Sequence, residues 1–102
     1  MKRIKFVVNA ARWFDRVNGN TYHSVNITDT DTGAKLYGAM AYGYGDSYKQ
    51  TALELMAGAK WLPEKYQDKA RIYAFEREND YPISWHVTDG KKRDCIANGK
   101  KD

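Results

Sequence analysis

The sequence predicts an α+β fold: an antiparallel sheet, built on N-terminal strands and a hairpin, packed on one main helix, with further strands towards the C-terminus. Three observations carry that prediction. Residues 3–8 alternate, with Ile4, Phe6 and Val8 on one side and Arg3, Lys5 and Val7 on the other. Asn18-Gly19 sits between two β-rich runs, and its tolerance of positive φ makes it the strongest short hairpin signal. Between Ser47 and Pro63 the apolar residues Ala52, Leu55, Met56, Ala59 and Leu62 recur at helical spacing.

Each element follows in order. A first strand covers 3–8 and a second runs over Arg12–Val17. A two-residue loop at Asn18-Gly19 pairs Val17 with Asn20, Asp15 with Tyr22 and Trp13 with Ser24. That register puts Phe14, His23, Val25 and Ile27 on one face of the hairpin, and Trp13, Tyr22 and Ser24 on the other. The polar stretch Asp29-Thr30-Asp31-Thr32-Gly33 is a turn. It leads into a strand over Ala34–Tyr42, with Leu36 and Met40 on one face and Tyr37, Ala39 and Ala41 on the other. Gly38 within that strand points to a bulge or a close backbone approach. The helix is expected over Ser47–Leu62, with Ser47 and Gln50 as a capping box and Pro63 as the stop. Gly58 inside it costs up to ~1 kcal/mol relative to Ala and fits tight packing on the sheet. Arg71–Glu76 reads as a strand. Ile83–Val87 and Arg93–Ala97 read as a hairpin about Asp89-Gly90, with Trp85 opposite Cys95. The order expected is β-β-β-β-α-β-β-β.

At 102 residues, with 42% hydrophobic and 14% aromatic residues, the chain is expected to be a single domain with one core. Charged residues make up 29%, which argues against global disorder. The lone Cys95 cannot form an intrachain disulfide, and a secreted domain of this size usually carries several, so a reducing cytoplasm is expected. The N-terminus turns from basic to apolar as a signal peptide does, but Arg12 interrupts an apolar stretch already too short for one. No run approaches the roughly 20 apolar residues that span a bilayer, and no membrane partner is expected.

Catalytic and cofactor signals are sparse. His23 and His86 lie on separate alternating strands with no second ligand at metal spacing, and read as ordinary strand histidines. Cys95 reads as a small buried thiol under Trp85. Gly43-x-Gly45 lacks the third glycine and the Lys-Ser/Thr ending of a phosphate loop. Asp29 and Asp31 lack the closing Glu of a calcium loop and read as turn formers. No enzyme activity, metal or cofactor is expected.

Binding signals are better represented. Trp13, Tyr22 and Tyr37 share the sheet face away from the helix, where aromatics anchor a protein interface or stack on bases. Lys91, Lys92 and Arg93, beyond Asp89-Gly90, supply cations that suit phosphate or an acidic surface. The net charge of +4 fits either ligand, but its sign alternates along the chain, so any patch is assembled by the fold. Residues 71–97 are the candidates to fold back over the aromatic face and cover it.

From Trp13 to Leu62 the order of three strands and a capped helix is similar in topology to the double-stranded RNA-binding domain. Only Lys49 in Tyr48-Lys49-Gln50-Thr51-Ala52 matches that family's basic helix start. It is similar also to the three-strand-plus-helix domain of plant-type transcription factors and phage integrase arms, which reads DNA from its sheet. The phrases Arg12-Trp13-Phe14-Asp15-Arg16-Val17-Asn18-Gly19-Asn20-Thr21-Tyr22-His23 and Tyr42-Gly43-Tyr44-Gly45-Asp46-Ser47-Tyr48-Lys49-Gln50-Thr51-Ala52 resemble those of small uncharacterised bacteriophage proteins. That resemblance implies a phage accessory role in the host cytoplasm, in which proteins of this size bind and disable host machinery, CRISPR complexes included. The expected function is binding of a host protein or ribonucleoprotein complex. The alternative is direct binding of RNA or single-stranded DNA.

Overall fold

The computed structural model describes residues 4–43, 45–68, 71–79 and 81–100. Four strands, β1 (Phe6–Asp15), β2 (Asn20–Asp29), β3 (Lys35–Tyr42) and β4 (Ile83–Gly90), form one sheet in the order β3-β2-β1-β4. Three helices, α1 (Ser47–Gly58), α2 (Ala74–Glu78) and α3 (Lys92–Asn98), and a 3-10 turn at Glu64–Tyr66 complete the described residues. None of these helices is long and apolar enough to cross a membrane. The α+β class matches the expectation, and several of its details do not.

The sheet is mixed rather than antiparallel. β1 pairs antiparallel with β2, and β2 with β3, but β1 pairs in parallel with β4 from Phe6↔Ile83 to Trp13↔Gly90. A parallel pair needs a long crossover, and residues 43–82 with α1 and α2 provide it. β1 is a single ten-residue strand where the sequence suggested two, because the weak β-formers Asn9-Ala10-Ala11 hide an alternation that continues through them.

The hairpin closes two residues earlier than expected. Asp15 pairs with Asn20, Trp13 with Tyr22, and Arg12 with His23. Residues 16–19 form the turn, with Gly19 at φ 69°. The Asp15 carboxylate causes the longer loop, accepting the backbone N–H groups of Val17 and Asn18 and the Asn18 side-chain amide. These bonds hold the Asp15 carboxyl below its usual range. A slip of two residues leaves every side chain on its original face, so the assigned faces survive the corrected register.

Phe6, Val8, Ala10, Val25 and Ile27 form the floor of the core, and Ala52, Leu53 and Met56 of α1 pack on it. Leu62, Tyr66, Ile72, Phe75 and Ile83 close the core. Trp61 stacks on Phe6 at 5.9 Å between ring centroids. Gly38 fulfils both expectations for it. The β2–β3 register breaks between His23 and Val25, and a Cβ on Gly38 would lie 2.8 Å from both Leu55 Cδ1 and Val25 Cγ2. The bulge turns Ala41 to the side of His23 and sends Tyr42 to the other face, opposite Tyr22.

α1 is shorter than predicted. Asp46 is its N-cap, not Ser47. Gln50 bonds Glu54 on the next turn instead of completing a capping box. The helix ends well before Pro63. Lys60 adopts φ 61°, its N–H bonds the Ala57 carbonyl, and the Trp61 N–H bonds the Met56 carbonyl. This is a Schellman turn with lysine in the position that usually takes glycine. Gly58 is exposed with nothing near its missing Cβ, so tight packing is not its role.

Two predicted C-terminal strands are helices, and the expectation of one main helix fails with them. Residues 71–73 form a turn leading into α2, whose exposed Glu78 takes the Tyr66 hydroxyl and the Arg71 guanidinium. Short apolar runs such as Ile72–Phe75 satisfy either periodicity. The residues expected as a strand over 93–97 lie in α3, where the Asp94 carboxylate accepts the Lys91 N–H and caps the first turn. Cys95 therefore lies on the opposite sheet face from Trp85 rather than across a hairpin from it. The turn at 29–33 is as expected, with the Asp29 carboxylate accepting the Asp31 N–H and Gly33 at φ 77°.

Candidate binding surface at the hairpin end of the sheet

α3 lies across the face opposite α1, and a polar network holds it there. The Asn98 side-chain amide donates to the carbonyls of Asn9 and Ser24 and to the Ser24 hydroxyl. Asn26 returns a bond to the Asn98 side-chain oxygen. The Ser24 hydroxyl donates to the Cys95 carbonyl. A Cβ on Gly99 would collide with the Gly38 carbonyl and with Ser24, so only glycine permits this approach. Residues 92–99 thus cover the middle of the face, part of the covering expected of residues 71–97.

The hairpin end stays open. Trp13 stacks on Tyr22 at 5.5 Å and 22° between planes, and Tyr42 meets Tyr22 edge-on at 5.9 Å. Lys92 places its ammonium 5.4 Å from the Trp13 ring centre. Trp13 and Tyr22 are half-buried, whereas Tyr42 is 59% exposed. Phe14, at the end of β1, is 55% exposed, and Val17 in the turn is 92% exposed. A groove of about 470 Å³ runs between this tip and Gly90-Lys91.

The acidic groups near this end have internal partners. Asp89 forms a fork with Arg12 at 2.7 and 3.1 Å, which lowers the Asp89 carboxyl below its usual range and raises the Arg12 guanidinium. Arg12 also reaches the Gly45 carbonyl at 3.1 Å. Asp15 holds the turn and Asp94 caps α3. The side-chain cations of Arg16, Lys91 and Arg93 form no ion pair with a carboxylate among the described residues. The charge presented outward is therefore positive.

Of the residues singled out in the sequence, Trp13 meets both Tyr22 and Lys92, and Lys91 and Arg93 flank Lys92 in the chain at the start of α3. Tyr37 shares the face but pairs with Asn26, four residues along β2 and roughly 13 Å from the cluster. Tyr42, Phe14 and Val17 escaped the sequence reading. The bulge decides which way Tyr42 faces, and the longer turn frees Val17 from the ladder.

The remaining chemistry-bearing side chains are tied into the fold. His23 is buried, with Nδ1 3.1 Å from the Gly43 carbonyl and Nε2 2.7 Å from the Thr51 hydroxyl. The carbonyl can only accept, so Nδ1 carries a proton and donates to it. His86 is exposed, with Nε2 2.8 Å from the Ser84 hydroxyl. Burial pushes the Cys95 thiol up, Ser24 offsetting part of the rise, and Sγ lies 3.5 Å from the Ala11 carbonyl. A thiol so placed is neutral at neutral pH and poor as a nucleophile. No group of three or more His, Cys, Asp or Glu with metal-binding spacing occurs among the described residues. No protein-family model, curated protein or solved structure matches the chain.

Proposed function

We propose that this chain is a non-enzymatic accessory protein of bacteriophage type that binds a host protein or ribonucleoprotein complex, as inhibitors of host defence do. The contact surface is the hairpin end: Phe14, Val17 and Tyr42, backed by the Trp13–Tyr22 stack and framed by Arg16, Lys91, Lys92 and Arg93. The observation that carries this reading is the state of the Trp13 ring. A platform for nucleic-acid bases needs a free aromatic face, but Trp13 is already engaged by Tyr22 and by the Lys92 ammonium. The apolar groups left open, Phe14 and Val17, stand on a protruding tip, the shape of an anchor that enters a partner's pocket. Cations without internal carboxylate partners suit an acidic rim around such a pocket.

Direct binding of RNA or single-stranded DNA is the second reading, favoured by those same cations. Pull-down from a bacterial lysate with and without nuclease separates the two, and a protein partner should survive digestion. Phe14→Ala combined with Val17→Ser should then abolish capture, while neutralising Lys91, Lys92 and Arg93 should mainly slow association. Capture lost with nuclease, or affinity falling by about one unit of log–log salt slope per cation removed, would establish the second reading instead.

A further inference from the structure

The two edges of the sheet are protected to very different degrees. β3 begins with Lys35, carries Gly38 and a bulge, and has Gly99 approaching its backbone from one face. Each of these devices discourages another strand from pairing there. β4 has none of them. It runs in unbroken register with β1 from Ile83 to Gly90, contains no Lys or Pro, and is rich in strand formers: Ile83, Trp85, Val87 and Thr88. Its outward row of amides and carbonyls meets no other strand among the described residues, and residues 86–90 are exposed, Val87 at 38%. A row of backbone donors and acceptors selects its ligand by chemistry: an extended peptide.

We infer that this ligand is the β4 of a second copy, paired antiparallel about a two-fold axis at His86 to give a continuous eight-stranded sheet. The side-chain order is self-complementary over the five central residues, Ser84 to Thr88. Trp85 comes opposite the Val87 of the second copy, an aromatic against a β-branched residue on the α1 side. Ser84 comes opposite the Thr88 of the second copy, hydroxyl against hydroxyl on the other side. At the ends of the pairing Ile83 comes opposite the Asp89 of the second copy, whose carboxylate is held by its own Arg12. The pairing uses neither Phe14 nor Val17, so it stands or falls apart from the proposed function.

The test is sedimentation equilibrium over a concentration series, with the full chain and two variants at the axis. The wild type should show a reversible monomer–dimer equilibrium. His86→Glu and His86→Lys each place like charges face to face and should raise the dissociation constant at least ~tenfold. Mixing the two variants in equal amounts should restore a dimer, because the axis then opposes unlike charges. His86 is exposed and its Nε2 meets the Ser84 hydroxyl at 2.8 Å, so both variants should keep the wild-type thermal transition, and recovery on mixing would itself require folded chains. A wild type that stays monomeric, variants that dimerise like the wild type, or a mixture that does not recover would each overturn the inference. Loss of a host partner on His86→Glu, with the wild type monomeric, would assign the edge to a foreign strand.

Discussion

The two faces of the sheet are covered by different physics. Under α1 the contact is apolar and continuous, with Phe6, Val8, Val25 and Ile27 meeting Ala52 and Met56, all fully buried. Under α3 it is small and polar. Ala11 and Cys95 are its buried apolar pair, and Ser24, Asn26 and Asn98 supply the hydrogen bonds. The first face holds the fold together by area removed from water. The second holds a seven-residue helix in one place and leaves the aromatic end beyond it open. Cohesion thus comes mainly from the α1 side, and the proposed contact surface gathers at the hairpin end, where Tyr42 faces the α3 side and Phe14 the α1 side.

That division can be broken first at its strong side. Phe6→Ala removes a ring packed against Trp61 and Phe75 and should cost ~3–5 kcal/mol, read by denaturant unfolding. Asn98→Ala tests the weak side. It strips the bonds to Asn9 and Ser24 and takes an acceptor from Asn26, at an expected ~1–3 kcal/mol. Hydrogen exchange should then show α3 amides opening while those of β1 and β2 stay protected; uniform loss across the chain would mean the faces are not separable. Lys60→Gly relieves a left-handed lysine at the end of α1 and should raise the unfolding free energy by ~1 kcal/mol without changing exchange in α3.

The smallest effect expected is electrostatic. Asp15, Glu78 and Asp89 all have carboxyls lowered by native hydrogen bonds, with Asn18, Tyr66 and Arg12 the leading partners. Each favours the folded state above the usual carboxylate range near ~4 and loses that contribution as pH falls through its lowered value. A thermal-melt series into acid should therefore decline below about pH 4, and Asp89→Asn should flatten part of the decline.

The strand faces were readable because alternation survives a two-residue slip, so Trp13 and Tyr22 were placed together although their pairing partners were wrong. The helical stripe was readable, but its end was not, since nothing in Lys60 announces a left-handed turn. α2 and α3 were taken for strands because four or five residues with an apolar alternation satisfy both periods. Asp94 was the available cue for α3, as a carboxylate three residues past a potential N-cap at Lys91. The parallel place of β4 beside β1 was beyond local pattern altogether. It depends on how the crossover through α1 packs. At the candidate surface, the Trp13–Tyr22–Lys92 contact follows from parity and topology, whereas Tyr42 depends on a bulge whose position no single residue fixes.

The pairing of Phe6 with Ile83 also sets an order of events. β1, β2, β3 and α1 are contiguous, so they can assemble as soon as the first half of the chain has left the ribosome. β1 sits centrally, yet its second neighbour is encoded more than 60 residues after β1 ends, and until β4 arrives β1 presents an open edge of its own. Closing that loop is the contact of highest sequence separation in the sheet, and it is expected to govern the slow phase of refolding. α3 can seat only afterwards, because its helix begins two residues beyond β4. The surface that lies against Lys91, Lys92 and Arg93 is therefore the last part of the molecule to exist, and a chain stalled before that step would have a folded core and an incomplete hairpin end.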